Sequence, residues 1–261
     1  MDSMLVFDRK AVRRHRDRAA TTVDRVADVL RDAAERLLDR LDDTNRRFTD
    51  ALDVGGRGVV APMLRQRGLQ VVSCDLSPAM AALNGTPSVA ADEEYLPFAP
   101  NSFDLIVASL SLHWVNDLPG ALLQLRQALR PEGLLLASLP ALGTLSELRT
   151  ALTEAEAEIT GGASPRVSPF PELRDCAHLL QRAGFALPVA DMEEIRLLYA
   201  DPLALLADLR AAGETNAIRQ RARVAPSRAI FPAALARLPI ETERVAVTLR
   251  MAVMTGWAPG R

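Results

Sequence analysis

Cysteine and lysine are scarce in this sequence of 261 residues, which contains two cysteines, Cys74 and Cys176, and one lysine, Lys10. Two cysteines are too few for a disulfide framework or a four-ligand zinc site, so we expect a reducing cytoplasm. Arginine supplies the rest of the 31 basic residues throughout the chain, which indicates genome composition rather than a nucleic-acid-binding patch. A formal net charge of −2 also argues against bulk electrostatic binding of nucleic acid.

Long apolar runs are also missing. No segment approaches the roughly 20 consecutive apolar residues of a membrane-spanning helix, so we predict no membrane span. Residues 1–41 mix aspartate with arginine and have no apolar core, so they resemble neither a secretory signal nor an acid-poor transit peptide. With 49% hydrophobic and 25% charged residues, the chain can bury a sizeable core and is not expected to be disordered.

We predict that residues 1–45 form a helical lid. Apolar residues recur there at the spacing of an amphipathic helix, at Val23, Val26, Val29, Leu30, Ala33, Leu37 and Leu38. Three arginines closer to the amino terminus, Arg13, Arg14 and Arg16, have two interpretations. They are cationic groups of a substrate lid, or they form a solvated helix face, as charged runs commonly do.

The strongest functional signal is a glycine-rich turn that follows an apolar run ending near Asp53. Its glycines are Gly55, Gly56 and Gly58. Glycine lets the backbone adopt positive φ and approach a ligand closely. Residues 59–68 then have amphipathic spacing, and a second apolar run ends at Asp75. This succession of strand, turn, helix and strand predicts a nucleoside-binding unit, with Asp75 near the ribose hydroxyls.

The turn departs from the dinucleotide-binding pattern, because Val60 stands three residues after Arg57, where a glycine is needed. Asp53 beside the turn would repel a pyrophosphate but attract a cationic amino or sulfonium group. S-adenosylmethionine is the common cofactor with that charge pattern. The alternative is a tight turn in an ordinary α/β domain, in which Asp53 caps a backbone amide.

Two further strands follow this unit. Residues 88–91 are β-prone, so Asp92 falls at the tip of a third strand, where a carboxylate can accept a hydrogen bond from an adenine amino group. Residues 101–109 lead into a fourth strand whose continuous apolar character suits a sheet buried on both faces. A helix over residues 122–129 and a strand over 134–139 complete the order β, α, β, β, α, β.

The carboxyl-terminal half contains an insert and the last strands. The insert has two helical patterns, Thr144–Ile159 and Pro171–Ala183, and such inserts commonly roof a pocket. Residues 189–199 are strand-like, residues 202–212 read as a helix, and residues 245–255 predict a final strand. We expect the last two strands to form an antiparallel hairpin that closes the sheet.

Other chemistry has little support. His113 is either a base at the pocket mouth or a structural residue, as a lone histidine in an apolar helix start more often is. His15 and His178 lie in unrelated segments and the three histidines are scattered along the chain, so we predict no metal site. Ser164 and Ser168 lack an adjacent histidine, so no hydrolytic nucleophile is predicted.

Together these motifs carry a family resemblance. The segments D-V-G-G-R-G, C-D-L-S-P-A-M, A-D-E-E-Y-L-P-F, F-D-L-I-V-A-S-L-S-L-H-W-V and L-R-P-E-G-L-L-L are similar to those of class I S-adenosylmethionine-dependent methyltransferases. More narrowly, F-D-R-K-A-V-R-R-H-R, G-G-A-S-P-R-V-S-P-F, L-L-Q-R-A-G-F-A-L-P-V-A-D and Y-A-D-P-L-A-L-L-A-D-L-R resemble bacterial relatives of the mitochondrial complex I assembly factor with this fold. The resemblance extends over nearly the whole chain.

The resemblance implies a Rossmann-like α/β fold with a seven-stranded, mostly parallel sheet and an antiparallel last strand. It places a methyltransferase domain at residues 46–261, with a helical insert at about 143–184. The implied cofactor-binding residues are Asp53, Gly55, Gly56, Gly58, Asp75, Leu76, Asp92, Glu93 and Ser109. Arg57 and Val59 stand where the family commonly has glycine. Because Val59 is stiff and can crowd the cofactor, we predict that Val59→Gly tightens binding.

The resemblance also implies S-adenosylmethionine-dependent methyl transfer, with a protein as the expected acceptor. The alternatives are a complex I assembly factor that hydroxylates or binds a subunit, and a methyltransferase of a small molecule or carrier protein. We expect Arg13, Arg14, Arg16 and Arg166 to form a cationic pocket mouth that suits a protein segment or acidic carrier better than a small apolar quinone. A respiratory complex I subunit is the candidate partner, the expected location is the bacterial cytoplasm, and no particular oligomeric state is predicted.

Overall fold

The computed structural model describes residues 5–222 and 227–260, so residues 1–4 of the predicted lid lie outside the described residues. Its helices are α1 Arg9–Ala19, α2 Ala27–Leu38, α3 Val60–Gln66, α4 Pro78–Leu83, α5 Leu118–Ala128, α6 Ser146–Thr160, α7 Leu173–Arg182, α8 Pro202–Ala211 and α9 Ile230–Leu235. A single-turn 3-10 segment, Val23–Val26, precedes α2, and together they form the predicted amphipathic helix. Within the described ranges, no helix is both long and apolar enough to cross a bilayer.

One mixed sheet organises the chain. Its strands are β1 Asp50–Val54, β2 Gln70–Asp75, β3 Ser88–Ala90, β4 Phe103–Ser109, β5 Leu129–Pro140, β6 Ala186–Tyr199, β7 Ile240–Glu241 and β8 Arg244–Trp257. They lie in the order β3-β2-β1-β4-β5-β8-β6, and β7 pairs with β8. The pairings from β1 to β5 are parallel, whereas β8 is antiparallel to both β5 and β6. The predicted sheet with an antiparallel last strand is therefore confirmed, and the two-residue β7 is an additional strand that the sequence pattern did not predict.

The central strands are buried on both faces, as their continuous apolar sequence predicts. Leu105, Ile106 and Val107 of β4 are fully buried. One face of the sheet packs with α5 and α7, and the other packs with α2 and α3. Burial of this apolar surface is the main source of stability, and it fixes the carboxyl ends of β1 to β5 along one edge.

A helical cap covers that carboxyl edge. α1 contacts α4 and α8, and α6, α8 and α9 form a separate apolar cluster with β8. Of the two predicted insert helices, α6 belongs to this cap. α7 does not roof a pocket: Cys176 and Leu180 pack in the sheet core beside α5. The division into a lid at 1–45 and a domain at 46–261 stays a prediction.

Candidate active site

The predicted acids lie together at the carboxyl edge of the sheet. Asp53 is near the end of β1, Asp75 ends β2, and Asp92 lies just beyond β3. Because β2 pairs in parallel with both β1 and β3, the three strand ends are neighbours. Glu93 follows Asp92 and adds a fourth carboxylate. We call Asp53, Asp75, Asp92 and Glu93 the acidic edge.

The glycine turn packs tightly at two positions, once against Ser111 and once against Asp53 of the acidic edge. Gly55 has a φ of +70°, and a Cβ there would lie 2.6 Å from Ser111 Cβ. At Gly56, a Cβ would lie 2.3 Å from both carboxylate oxygens of Asp53. Real Cβ atoms do not approach other heavy atoms so closely. Glycine is therefore required at Gly56 for the Asp53 side chain to lie against the turn, and at Gly55 for the turn to pack against Ser111.

Asp53 is a buried acid with little compensation, because the backbone N–H groups of Gly56 and Ala61 and the charge of Arg65 only partly oppose the effect of burial on its pKa. The residue is fully buried, and neither carboxylate oxygen has a hydrogen-bond partner among the described residues. Burial, reinforced by the nearby Asp75, raises the pKa of Asp53 to about 8. The carboxyl group is therefore mostly protonated at neutral pH unless a cation comes to lie beside it.

Arg16 of α1 is inserted into the acidic edge. Its Nη1 donates to Glu93 at 2.9 Å and lies 3.4 Å from both carboxylate oxygens of Asp75, and its Nη2 donates to the Ser111 carbonyl oxygen at 3.2 Å. Burial disfavours the charge of Arg16, but Asp75 and Glu93 outweigh burial and raise the pKa of its guanidinium. Burial raises the pKa of Asp75 even though Arg16 opposes that shift. Arg16 therefore occupies the space beside the predicted ribose acid.

Arg9 covers the outer part of the acidic edge from the same helix. Its Nη2 donates to Asp92 at 2.6 Å and also to Glu93, while Nη1 donates to the Trp114 carbonyl oxygen at 3.2 Å. Burial alone would raise the pKa of Glu93, but Arg16 and Arg9 together hold it below its usual value. Three of the four carboxylates are thus paired with arginines of the chain itself.

The predicted cationic pocket mouth is wrong. Arg13 and Arg14 lie on the exposed face of α1, and Arg166 forms an ion pair with Glu156 at 2.5 Å. Arg16 is buried among carboxylates rather than exposed to a substrate. Arg13, Arg14 and Arg16 do not line the cavity under the cap, whereas Arg166 does, so the four arginines do not converge on one opening.

Glu214 joins the glycine turn to the segment that follows β4. Its carboxylate accepts hydrogen bonds from Arg57 Nη2 at 2.5 Å and from Trp114 Nε1 at 2.6 Å, and it lies 2.7 Å from His113 Nε2. Burial alone would raise the pKa of Glu214, but His113 and Arg57 hold it well below its usual value. Arg57 also donates to the Leu110 carbonyl oxygen at 2.8 Å. The arginine in the glycine turn is therefore fixed by the protein itself.

A cavity of about 460 Å³ lies beside this network, under the cap. Its walls come mainly from apolar residues of α2, α6 and α8, including Leu30, Leu148, Leu152, Leu205 and Leu209. Arg57, His113 and Glu214 also line it, whereas the acidic edge does not border it. We call this space the apolar cavity. The acidic edge and the apolar cavity are neighbouring sites that share the glycine turn.

The other predicted cofactor residues face elsewhere. The Gly58 N–H donates to the Asn84 side-chain oxygen at 2.6 Å, so this glycine faces the end of α4. Leu76 packs against an apolar cluster at the first turns of α1. Ser109 ends β4 and is buried, and its neighbour Leu110 lines the apolar cavity. The structure therefore brings the acids together with Gly55 and Gly56, but not with these three residues.

Val59 does not lie over the acidic edge. It packs against apolar clusters that contain Leu30 of α2 and Leu64 of α3. The side chain therefore has a packing role, and the expectation that it crowds the cofactor loses its basis.

The sequence pattern did not indicate Arg9 or Glu214 as site residues, and it assigned Arg16 to the pocket mouth rather than to the acids. A signal existed for Arg16, because it occupies a position of the buried stripe of α1 together with Val12 and Ala19. A cation at such a position requires a buried anion as its partner. Glu214 lies about a hundred residues from its partners, and nothing in its neighbourhood indicates the contact.

The fold and the row of strand-end acids define a class of protein, and comparison with known proteins agrees. Residues 52–137 match the family model described as a methyltransferase domain. The chain is 36% identical to the malonyl-(acyl-carrier protein) O-methyltransferase of Methylovorus sp., over 84% of this chain and 77% of that protein. The solved structure of the YcgJ protein from Bacillus subtilis has the same fold, with a TM-score of 0.59 at 11% identity, and covers 86% of this chain and 98% of its own. The chain belongs to the class I S-adenosylmethionine-dependent methyltransferase family.

Within that family, the chain is related to a protein named for another activity. It is 37% identical to the zebrafish (Danio rerio) protein "Arginine-hydroxylase NDUFAF5, mitochondrial", over 98% of this chain and 84% of the relative. Mammalian proteins of that name are longer, and this chain covers 54 to 64% of their length. The predicted relationship to the complex I assembly factor is therefore confirmed.

Proposed function

We propose that the acidic edge binds S-adenosylmethionine and that the protein transfers its methyl group to an acceptor in the apolar cavity. The observation that carries this proposal is a row of carboxylates on adjacent strand ends, of which Asp53 is buried without a partner among residues 5–222 and 227–260. A buried polar group in that state costs stability. A cationic ligand beside Asp53 would account for that cost, and family membership supports the same cofactor.

Each carboxylate has a separate role in this proposal. Asp75 accepts hydrogen bonds from the ribose hydroxyls, and Asp92 with Glu93 accepts from the adenine amino group. Asp53 faces the amino or sulfonium group and becomes ionised there. The bound cofactor supplies an activated methyl group. The glycine turn and the acids contribute to the reaction mainly by positioning.

The chemical character of these residues fits the cofactor, but Arg16 has to move before the ribose can reach Asp75. The contacts between Arg16 and Asp75 are 3.4 Å long, near the limit of a hydrogen bond, whereas the contact with Glu93 is 2.9 Å. Replacing the two long contacts by ribose hydroxyls costs less than breaking the shorter one. We therefore expect Arg16 to release Asp75 and to keep Glu93 when the cofactor binds.

Calorimetry with S-adenosylmethionine tests the proposal. Asp75→Ala should weaken binding by about 1 to 3 kcal/mol, the cost of leaving polar ligand groups without partners. Asp50→Ala is the matched control. Asp50 is the first residue of β1, at the end of the strand opposite to the acidic edge, and its carboxylate pairs with Arg130 at 2.7 Å. Equal affinity of wild type and Asp75→Ala, or no binding by the wild type, would contradict the assignment.

A second candidate function is action on a subunit of respiratory complex I, by hydroxylation or binding. The observation in its favour is the similarity to NDUFAF5 over 98% of this chain. Mass spectrometry of complex I subunits from a deletion strain separates the candidates. A subunit that is lighter by about 14 Da in the deletion strain than in the wild type indicates methylation, and one that is lighter by about 16 Da indicates hydroxylation. Unmodified subunits in both strains, with impaired assembly, would leave a binding role. A cytoplasmic location remains a prediction under either function.

A further inference from the structure

Three residues that line the apolar cavity each have a buried side-chain polar atom that the protein does not use. Arg57 Nε, His113 Nδ1 and Ser168 Oγ are buried and have no hydrogen-bond partner among the described residues, and all three residues line the cavity. An unsatisfied buried polar atom costs about 1 to 3 kcal/mol, so native structures rarely leave several in one place. The apolar walls with these polar atoms match a ligand that has an apolar body and one polar group.

Glu214 determines which nitrogen of His113 is free. An ionised carboxylate can only accept hydrogen bonds, and the pKa of Glu214 lies well below its usual value, so this carboxylate is ionised at neutral pH. His113 Nε2, at 2.7 Å from Glu214, must therefore carry a proton. In the neutral imidazole the other nitrogen, Nδ1, then has a lone pair and accepts a hydrogen bond.

We propose that His113 is the general base for the acceptor, and that the acceptor is a small, largely apolar molecule with one phenol-like hydroxyl group. Glu214 is a positioning residue, because it holds the ring in the tautomer whose Nδ1 is free. This inference rests on the proposed function, since it names the substrate class of the same methyl transfer.

The reaction balances with these groups. The hydroxyl proton moves to His113 Nδ1, and the resulting imidazolium is stabilised by the Glu214 carboxylate. The oxygen forms a bond to the methyl carbon as the bond from that carbon to sulfur breaks, and the electron pair remains on sulfur as a neutral thioether. A phenol, with a pKa of about 10, gives up its proton far more readily than water, with a pKa of about 15.7, so the acidity of the hydroxyl decides which class of acceptor is accessible.

The size and lining of the cavity favour a small molecule over a polypeptide. A volume of about 460 Å³ lies in the range of small-molecule sites. Of the arginines expected to guide an acidic protein segment, Arg166 alone lines the cavity, and its charge is paired with Glu156 at 2.5 Å. Arg13 and Arg14 are exposed on α1 and do not line it. The protein segment or acidic carrier that the cationic pocket mouth suggested is therefore replaced by an acceptor recognised through apolar contact and a single hydrogen bond.

Two probes that differ by one hydroxyl group test the proposal. We would titrate the full-length chain, without cofactor, with 4-pentylphenol and with pentylbenzene. The readout is the fluorescence of Trp114, whose ring centroid lies 5.4 Å from that of His113, in a Trp257→Phe background that removes the other tryptophan. Wild type should bind the phenol about tenfold more tightly. His113→Gln should lose most of this preference, and His178→Gln, an exposed histidine on α7, should keep it. No preference in wild type, or full preference in His113→Gln, would overturn the proposal.

Nitrogen NMR of the imidazole rings provides the second measurement, and the chain has only three histidines to assign. We expect His113 to carry its proton on Nε2, and its Nδ1 resonance to shift with 4-pentylphenol but not with pentylbenzene. Glu214→Gln should produce a mixture of tautomers, a change that loss of packing alone would not cause. A proton on Nδ1 of the neutral wild-type ring would contradict the assignment.

Failure of this inference can be separated from failure of the proposed function. His113→Gln should still bind S-adenosylmethionine in the calorimeter. Cofactor binding without a preference for the phenol overturns the acceptor assignment alone. A preference for the phenol without cofactor binding supports the assignment of the acceptor site but contradicts the proposed methyl transfer. Tighter binding of N-acetylarginine amide than of 4-pentylphenol would overturn the proposal in favour of a polypeptide acceptor.

Discussion

The acidic edge and the apolar cavity lie at the same edge of one sheet, but they differ in whether their polar groups have partners within the protein. In the acidic edge, Arg9 and Arg16 form ion pairs with three of the four carboxylates. In the apolar cavity, side-chain atoms of Arg57, His113 and Ser168 have no partner among the described residues. The first site is closed by the chain itself, and the second has space and hydrogen-bonding capacity to spare.

The two sites therefore require different structural changes before a ligand can bind. A ligand at the acidic edge has to displace a buried arginine, whereas a ligand in the apolar cavity enters an existing space. Asp53 is the exception within the acidic edge, because it is buried and unpaired like the polar atoms of the cavity. Three substitutions and one pH titration test whether the two sites differ in this way.

The largest effect is expected for Arg16→Ala. Removing the buried cation leaves Asp75 and Glu93 with an uncompensated charge, so the free energy of unfolding should fall by about 3 to 5 kcal/mol. Arg13→Ala, on the exposed face of the same helix, should change it by less than about 0.5 kcal/mol. Urea denaturation followed by circular dichroism compares them. Similar losses in both variants would break the ion-pair account of the acidic edge.

Asp53→Asn should stabilise the protein by about 1 to 3 kcal/mol at neutral pH. The folded pKa of Asp53 is raised to about 8, so the unfolded state releases a proton that the folded state keeps. The wild type therefore loses stability from this group as the pH rises from about 4 to about 8, and the variant should lack that slope. Asp28→Asn, whose side chain is 99% exposed, is the control. A parallel pH dependence in wild type and Asp53→Asn would argue against a protonated Asp53.

The affinity for S-adenosylmethionine should rise about tenfold between about pH 6 and about pH 8. A cationic group beside Asp53 favours its ionised form, so binding releases the proton that the free protein holds below its pKa of about 8. Calorimetry in buffers of different ionisation enthalpy measures the released proton directly. Proton uptake, or release that persists in Asp53→Asn, would assign the effect to another group.

The smallest effect is expected for Val59→Gly. Because Val59 packs against α2 and α3, we now expect a loss of about 1 kcal/mol of stability from removed apolar contact and added backbone freedom, with no gain in cofactor affinity. Thermal unfolding and calorimetry on the same sample decide between packing and crowding. Tighter cofactor binding in the variant would restore the earlier prediction that Val59 obstructs the site.

The sheet and its acids could be predicted because their signals are local. Continuous apolar runs identify β1, β2 and β4, and the parallel order brings Asp53 and Asp75 to one edge without knowledge of any distant contact. The two-residue β7 was missed because its turn contains Thr242 and Glu243, both with positive φ, rather than the glycine or asparagine that marks such hairpins.

The partners of the acids could not be predicted in the same way. Helical spacing predicts that a segment is amphipathic, but it does not say that Arg16 is inserted between Asp75 and Glu93, which lie on other elements. The same limit applies to α7, whose apolar stripe gave no indication that it packs on the sheet rather than over the pocket. Local sequence pattern predicts which helix or strand forms, whereas long-range contacts determine what that element packs against.

The start of α1 is attached to the segment that follows Glu214. Phe7 forms an antiparallel bridge with Ile218, the Asp8 N–H donates to the Ala217 carbonyl oxygen at 2.8 Å, and Arg221 donates to the Asp8 carboxylate at 2.9 Å. A shift of α1 that frees Asp75 would therefore also displace the segment next to Glu214, the residue that orients His113. By thermodynamic reciprocity, each ligand must then change the affinity for the other by the same factor. We expect the affinities of the two sites to depend on each other through this connection, so that filling one site is felt at the other.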